Sequence, residues 1–348
     1  MKGWLINNDG ILTLSDIPQQ EQVLSEDNLN GHPLVRVKIT KSIINFDDVY
    51  LYASGTPKKN TVLGSVGIGI IMDEVGDDSF SLEKGDRVFI NPYKICNDCI
   101  PCRNGDKSGC ANLKIAGDDF DGFLREFVDA EEDALISIPE VVSDTEALYV
   151  DTVAKSLNII DKMNIQKGEH VVILGATNFG IILAQILKYY QSIPIIIDND
   201  EERIKLAREC GIYYSLAKDR DWLNEISDIT GGRLAPQVVY LQNSKIPLKY
   251  AFTLAGYNAQ IAISGLETKG TNVLSFSPAI RKELKFFFIN TGLGNLEASI
   301  NLIANKAIDF SKIPVETANF NECDKVMNEL TDKLNNDEQI HETIVNIL

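Results

Sequence analysis

The sequence predicts an α/β protein of two domains: a strand-rich, barrel-like β domain, then a doubly wound parallel-sheet domain. Three observations point there. Residues 35–39, 68–72 and 87–90 are short apolar or alternating runs separated by Gly, Pro, Asn and Asp, the pattern of short strands between turns. After about residue 150 the pattern becomes strand, helix, strand, helix, which is the signature of parallel βαβ units. A glycine-bearing loop sits at the first of those strand-to-helix turns. A length of 348 residues fits two domains of about 100–200 residues each.

In the second region, residues 171–174 are a continuous apolar run too short for a helix, and residues 179–190 follow with helical periodicity. Residues 194–197 are apolar again, and residues 200–210 are helical, acidic at the start and basic later, as the helix dipole favours. Further strands are expected at residues 237–241, 260–264 and 286–289.

Composition restricts the partners. The formal net charge is −17, a field that repels phosphate backbones and anionic lipid surfaces. Neither nucleic-acid nor membrane partners are expected; a small-molecule substrate is. The first residues, MKGWLINNDGILTLSD, hold no long apolar run or small-residue cleavage site. They are not read as a signal peptide, and a cytoplasmic location is expected.

Four of the six cysteines fall at Cys96, Cys99, Cys102 and Cys110, a spacing of C-x2-C-x2-C-x7-C. Two-residue gaps let neighbouring thiolates turn onto one ion, and the longer arm completes a tetrahedron. Zn²⁺ takes four thiolates in closed structural sites. Free or disulfide-bonded cysteines and an iron–sulfur cluster are the alternatives. With four sulfur ligands no position remains for substrate, so one structural zinc per chain is expected.

The glycine loop reads Gly175-Ala176-Thr177-Asn178-Phe179-Gly180. The first Gly permits a tight turn and the last permits close packing of helix on strand; a middle Gly usually lets the backbone approach a pyrophosphate. Thr177 departs from that pattern and is expected to crowd or hydrogen-bond the phosphate. Asp198 ends the second strand, a little over 20 residues after Gly175. A carboxylate there accepts from ribose hydroxyls and repels a 2′-phosphate, and Asn199 follows instead of a phosphate-binding Arg. This favours NAD(H) over NADP(H). Arg203, in the next helix, is grouped with these candidate cofactor contacts.

In chain order come Val35-Arg-Val-Lys38, Gly85-Asp-Arg-Val88, the cysteine lobe and Gly122-Phe-Leu-Arg-Glu-Phe127. The nucleotide loop, Asp198 and Arg281-Lys-Glu-Leu284 complete the series. In that order they resemble the medium-chain dehydrogenase/reductase superfamily, in its zinc alcohol dehydrogenase branch. The resemblance implies a GroES-like catalytic domain over residues 1–152, with a structural zinc lobe at 91–112. It also implies a Rossmann NAD-binding domain over 153–292 and a return to the catalytic domain over 293–348. A homodimer or homotetramer, with the active site in the interdomain cleft, is implied as well.

The usual catalytic zinc ligands are missing. Asn45 stands at the family's Cys position, and Gly64-Ser65-Val66 replaces Gly-His-Glu; Asp151 matches a third ligand position. His32, His170 and His341 fall at no ligand position and are read as structural or surface residues. The resemblance places Tyr50 where many relatives carry a proton-relay His, Asp47 at a relay Ser/Thr position, and Asp48 at a retained Asp. Tyr50 is the candidate proton donor, Asp47 or Asp48 its orienting partner, and Asp151 a candidate substrate contact. The expected function is metal-free hydride transfer between NAD(H) and a small carbonyl, alcohol or conjugated enone. A zinc-dependent alcohol or polyol dehydrogenase with atypical ligands and a non-catalytic nucleotide-binding protein are the alternatives.

Overall fold

The computed structural model describes residues 1–18, 34–55, 60–73, 82–218, 220–241, 244, 246–265, 274–336 and 338–347. His32 lies outside these. The chain divides into two compact units, Met1–Val150 with Pro314–Leu348, and Asp151–Ile313.

The first unit is built on a seven-stranded sheet around the strand Leu34–Ile44. Its sequence alternates, and so does its burial: Val35, Val37 and Ile39 face inward while Arg36, Lys38 and Thr40 do not. A period of two suits a sheet with one face on a core. This strand pairs antiparallel with Val66–Ile71, with Phe127–Glu131 and with the C-terminal strand Thr343–Asn346. Arg87–Ile90 and Leu135–Ser137 extend the sheet on one side, and Glu316–Asn319 extends it on the other. The core beneath gathers Trp4, Ile6, Val37, Phe123, Met327 and Leu330. Fully burying such side chains contributes about 1.5–3 kcal/mol each.

The second unit is a six-stranded, wholly parallel sheet. From one edge its strands are Tyr214–Leu216, Ile193–Ile197, His170–Leu174, Ala235–Leu241, Ala255–Ser264 and Lys285–Ile289. In chain order that is 3-2-1-4-5-6, the doubly wound dinucleotide-binding arrangement. The interior strands His170–Leu174 and Ile193–Ile197 read as apolar runs, as strands covered on both faces do. Strand order reverses between His170–Leu174 and Ala235–Leu241, and ligands bind beyond the carboxyl ends of strands at such a switch point. Gly175 lies there with φ 123°, and a Cβ on it would stand 2.6 Å from Ser244 Cβ.

The expected return at residue 293 occurs later, at Pro314. Residues 293–313 stay with the second unit because hydrogen bonds anchor them there. Asn295 Nδ2 donates to Asp161 at 3.2 Å. The Gln185 amide donates to the Asp309 carbonyl at 3.3 Å and accepts from its N–H at 2.8 Å. Among the described residues no helix is long and apolar enough to cross a membrane.

Candidate functional site

The cysteine lobe has almost no core of its own, since none of residues 94–112 is buried. Turns shape it: Asn97 and Gly105 adopt positive φ, 54° and 82°, and Asp106 caps the 3₁₀ turn Lys107–Gly109. The four sulfur atoms lie within 4.8 Å of one another, with Cys96 and Cys110 Sγ 3.6 Å apart. A Zn–S bond of about 2.3 Å puts tetrahedral sulfurs about 3.8 Å apart, so the residues fit the ion. The field also fits. The backbone N–H groups of Asp98 and Cys99 lower the Cys96 thiol to about 6, and those of Cys102 and Ala111 lower Cys99. Cys102 is pushed up to about 12, first by loss of solvent and then by the neighbouring thiols. Sulfurs this crowded stabilise one another's protons until a cation replaces them. Among the described residues this is the one cluster of His, Cys, Asp or Glu side chains gathered closely enough to hold a metal.

The nucleotide loop explains its own departure. Thr177 is the N-cap of the helix Asn178–Tyr189, and its Oγ1 accepts from Gly180 N at 3.3 Å. Its backbone is extended, φ −71° and ψ 170°, so no glycine is required. The hydroxyl expected to meet a phosphate is thus turned onto the helix. Gly180 is demanded by packing: a Cβ there would stand 1.9 Å from the Gly175 carbonyl oxygen. Ala176, Asn178 and Phe179 complete the turn, with Asn178 and Phe179 in the first helical turn, where amides and dipole attract anions.

Asp198 is 1% exposed. Its Oδ2 accepts from Ala176 N at 2.7 Å and lies 3.6 Å from the Arg203 guanidinium. Its Oδ1 accepts from Asp200 N at 2.9 Å. Burial raises its pKa despite Arg203 and the two backbone donors. Each carboxylate oxygen can still accept a second donor. Asn199 lies between Asp198 and Asp200, the N-cap of Glu201–Glu209. Arg203 pairs with Asp198, a partner the sequence reading did not assign.

A second cluster lies in the first unit. Asn45 is the N-cap of the helix Phe46–Ser54, and with Asp48 it forms a capping box. Asp48 N donates to Asn45 Oδ1 and Asn45 N to Asp48 Oδ2, each at 3.0 Å. Asn45 Nδ2 donates to Ser65 Oγ at 2.9 Å, and Ser65 N donates to Asp48 Oδ1 at 2.9 Å. Asp48 is 2% exposed, and burial raises its pKa to about 6 against these donors. Asp48 Oδ2 thus serves the cap, and Oδ1 takes the Ser65 N–H. Asp47 and Tyr50 lie on the less buried side of the helix. Asp151 belongs to the second unit, at the start of the helix Val150–Met163. Its Oδ2 lies 3.2 Å from Lys155 Nζ.

Residues 31–140 match the alcohol dehydrogenase GroES-like domain family, and residues 179–305 the zinc-binding dehydrogenase family. An uncharacterized zinc-type alcohol dehydrogenase-like protein of Haemophilus influenzae is 28% identical over 276 residues, 78% of this chain and 79% of its own. The sorbitol dehydrogenase of Halalkalibacterium halodurans is 27% identical over 301 residues, 85% of this chain and 88% of its own. A crystal structure of a short chain alcohol dehydrogenase (rspB) from E. coli CFT073, complexed with NADH, shares the fold. Its TM-score is 0.80 at 24% identity, covering 100% of this chain and 99% of that one. The chain belongs to the medium-chain dehydrogenase/reductase superfamily.

In the first unit a hydrogen bond joins Asn45 to Ser65. It joins the two residues that the sequence resemblance sets at metal-ligand positions. An amide and a hydroxyl are poor zinc donors beside thiolate, imidazole or carboxylate. In the second unit the carboxylate of Asp151 faces the Lys155 ammonium. Asn45 and Ser65, joined to each other, do not fit a catalytic zinc. The capping box was readable as Asn-x-x-Asp, and the Asp151–Lys155 pair as opposite charges four residues apart. The link to Ser65 spans twenty residues and has no local signal. His170 opens the strand His170–Leu174, its pKa lowered by burial and then by Arg233. His341 precedes the strand Thr343–Asn346.

Proposed function

We propose that the protein is an NAD(H)-dependent oxidoreductase that reduces or forms a small carbonyl compound without a catalytic metal. One zinc at Cys96, Cys99, Cys102 and Cys110 holds the lobe. The observation that carries the metal-free chemistry is the Asn45 Nδ2–Ser65 Oγ hydrogen bond. Bound NAD(H) supplies or accepts the hydride. The first-turn amides after Gly175 hold its pyrophosphate, and Asp198 takes its ribose hydroxyls. Tyr50 gives the proton: it is half-buried, and its hydroxyl makes no hydrogen bond to a described residue. Relatives named sorbitol dehydrogenase and D-xylulose reductase support polyols and their ketoses as the first substrates to try.

Fluorescence titration tests the cofactor assignment. NADH should bind more than about tenfold tighter than NADPH, as expected when a 2′-phosphate loses a hydrogen bond and meets a carboxylate. Asp198→Ala should narrow that ratio. Tighter NADPH binding by the wild type would refute it, and tight NADH binding without turnover across polyols, ketoses and enones would favour a non-catalytic role.

The edge strand Lys285–Ile289 supports a homodimer. Its outer side pairs with no other strand among the described residues, and Phe288 on it is 72% exposed. An exposed apolar edge invites continuation by a second copy. A monomer in sedimentation at micromolar concentration would remove this.

A further inference from the structure

The Asn45 carboxamide is fixed at both ends. Its oxygen accepts from Asp48 N at 3.0 Å, and its Nδ2 donates to Ser65 Oγ at 2.9 Å. A backbone N–H can only donate, so the end facing Asp48 N is the oxygen and the end facing Ser65 is the NH2 group. Asp48 ties the two partners together. Its Oδ2 takes the Asn45 N–H at 3.0 Å, and its Oδ1 takes the Ser65 N–H at 2.9 Å. An amide nitrogen carries two hydrogens, and Ser65 takes one. The other meets no acceptor among the described residues.

The surroundings hold that group in one place. Ser65 follows Gly64, whose φ of 96° favours glycine. A Cβ on Gly64 would stand 2.9 Å from Leu124 Cγ and 3.0 Å from Leu124 N. The Gly64 carbonyl accepts from Phe123 N at 2.8 Å, and the Val66 carbonyl accepts from Ser42 Oγ at 2.7 Å. Ile43, Ile44, Leu63, Gly64 and Val66 are buried, while Asn45 and Ser65 are half-buried. The two side chains are thus accessible polar points on an otherwise apolar, packed wall. Asn45, Asp48, Ser65 and Tyr50 all belong to the first unit.

We infer that, given hydride transfer as proposed above, Asn45 is a catalytic residue whose second Nδ2 hydrogen holds the substrate oxygen. Ser65 and Asp48 are its positioning residues. The helix that Asn45 caps also carries Tyr50, the proposed acid. The step balances. The carbonyl carbon gains a hydride and a C–H bond, the reduced cofactor is oxidised, and the C=O π pair moves to oxygen. Asn45 donates a hydrogen bond to that oxygen and keeps its hydrogen, because a carboxamide does not titrate near neutral pH. The proton completing the alcohol leaves Tyr50, which regains one from water. A donor already fixed in place stabilises the developing charge without reorganising.

The test uses full-length protein saturated with NADH. The probe is N,N-dimethylformamide, an acceptor-only carbonyl that takes no hydride, read by nicotinamide fluorescence. Asn45→Ser and Asn45→Asp each keep an oxygen to cap the helix, and serine, aspartate and asparagine cap about equally well. Neither has an amide N–H. Wild type should bind the probe, and each variant should bind it about tenfold more weakly, the loss of one hydrogen bond. On any ketose that the wild type reduces, kcat should fall by about a hundredfold in Asn45→Ser. NADH affinity and the shape of the pH profile should be unchanged. The melting temperature of Asn45→Ser should stay within about 3 °C of wild type, which separates lost chemistry from lost structure. Unchanged probe binding in both variants would overturn the assignment and leave Asn45 a cap alone, as would wild-type turnover in Asn45→Ser. Failure of wild type to reduce any ketose would sink the hydride-transfer proposal instead, leaving Asn45 to be judged by probe binding in the two variants.

Discussion

Tyr50→Phe is expected to lower kcat by about 10²–10⁴, the usual contribution of a positioned general acid, while NADH affinity stays at the wild-type value. Hydride delivery to a carbonyl leaves charge on oxygen that must be held and then protonated. The helix Phe46–Ser54 offers three polar candidates. Asp48 is buried in the capping box with both oxygens engaged by Asn45 and Ser65. Asp47 sits in the first turn, where a carboxylate steadies the helix dipole. Tyr50 is a phenol on a rigid helix, without an internal hydrogen bond among the described residues. Comparison with Tyr52 serves as a control, because the Tyr52 hydroxyl receives the Leu12 N–H at 3.4 Å and its ring packs on the core. Tyr52→Phe should alter stability more than rate. A Tyr50→Phe variant that binds NADH normally and turns over at the wild-type rate would eliminate the assignment.

The second large effect is expected at the cysteine lobe. Cys102→Ser should release the zinc and open residues 94–112, because none of them is buried. Structural zinc supplies about 10–16 kcal/mol to small cysteine sites in isolation, far more than the lobe's turns and its exposed Arg103–Asp98 pair can replace. The readout is local: hydrogen exchange should accelerate across 94–112, with the second unit's sheet unaffected and NADH binding intact. Wild-type protection of the lobe in Cys102→Ser would show that the sulfurs hold no ion.

Much of this was legible because local patterns carry it. The parallel sheet announced itself in unbroken apolar runs, since a strand covered on both faces has no polar side to show. The first unit's alternation at Val35, Val37 and Ile39 gave its central strand. The three-residue edge strand Tyr214–Leu216 escaped notice because it is short and carries Ser215. The return of the C-terminal residues was anticipated only through family resemblance, and the strand Thr343–Asn346 was not anticipated. Its pairing with residues 41–44 is made some three hundred positions away in sequence. At the site, the cysteine spacing and Asp198 could be picked out residue by residue. Thr177 read as a defect in a fingerprint and proved to be a helix cap. The burial of the Asp151–Lys155 pair is a tertiary fact that the sequence does not display.

Metal content of the active protein tests the central claim most directly. Purified without chelator and shown to oxidise NADH with a confirmed substrate, it should contain one zinc per chain. That zinc should be lost in Cys102→Ser while hydride transfer persists. Two zinc ions per chain in the active wild type, with activity following the second, would contradict metal-free catalysis.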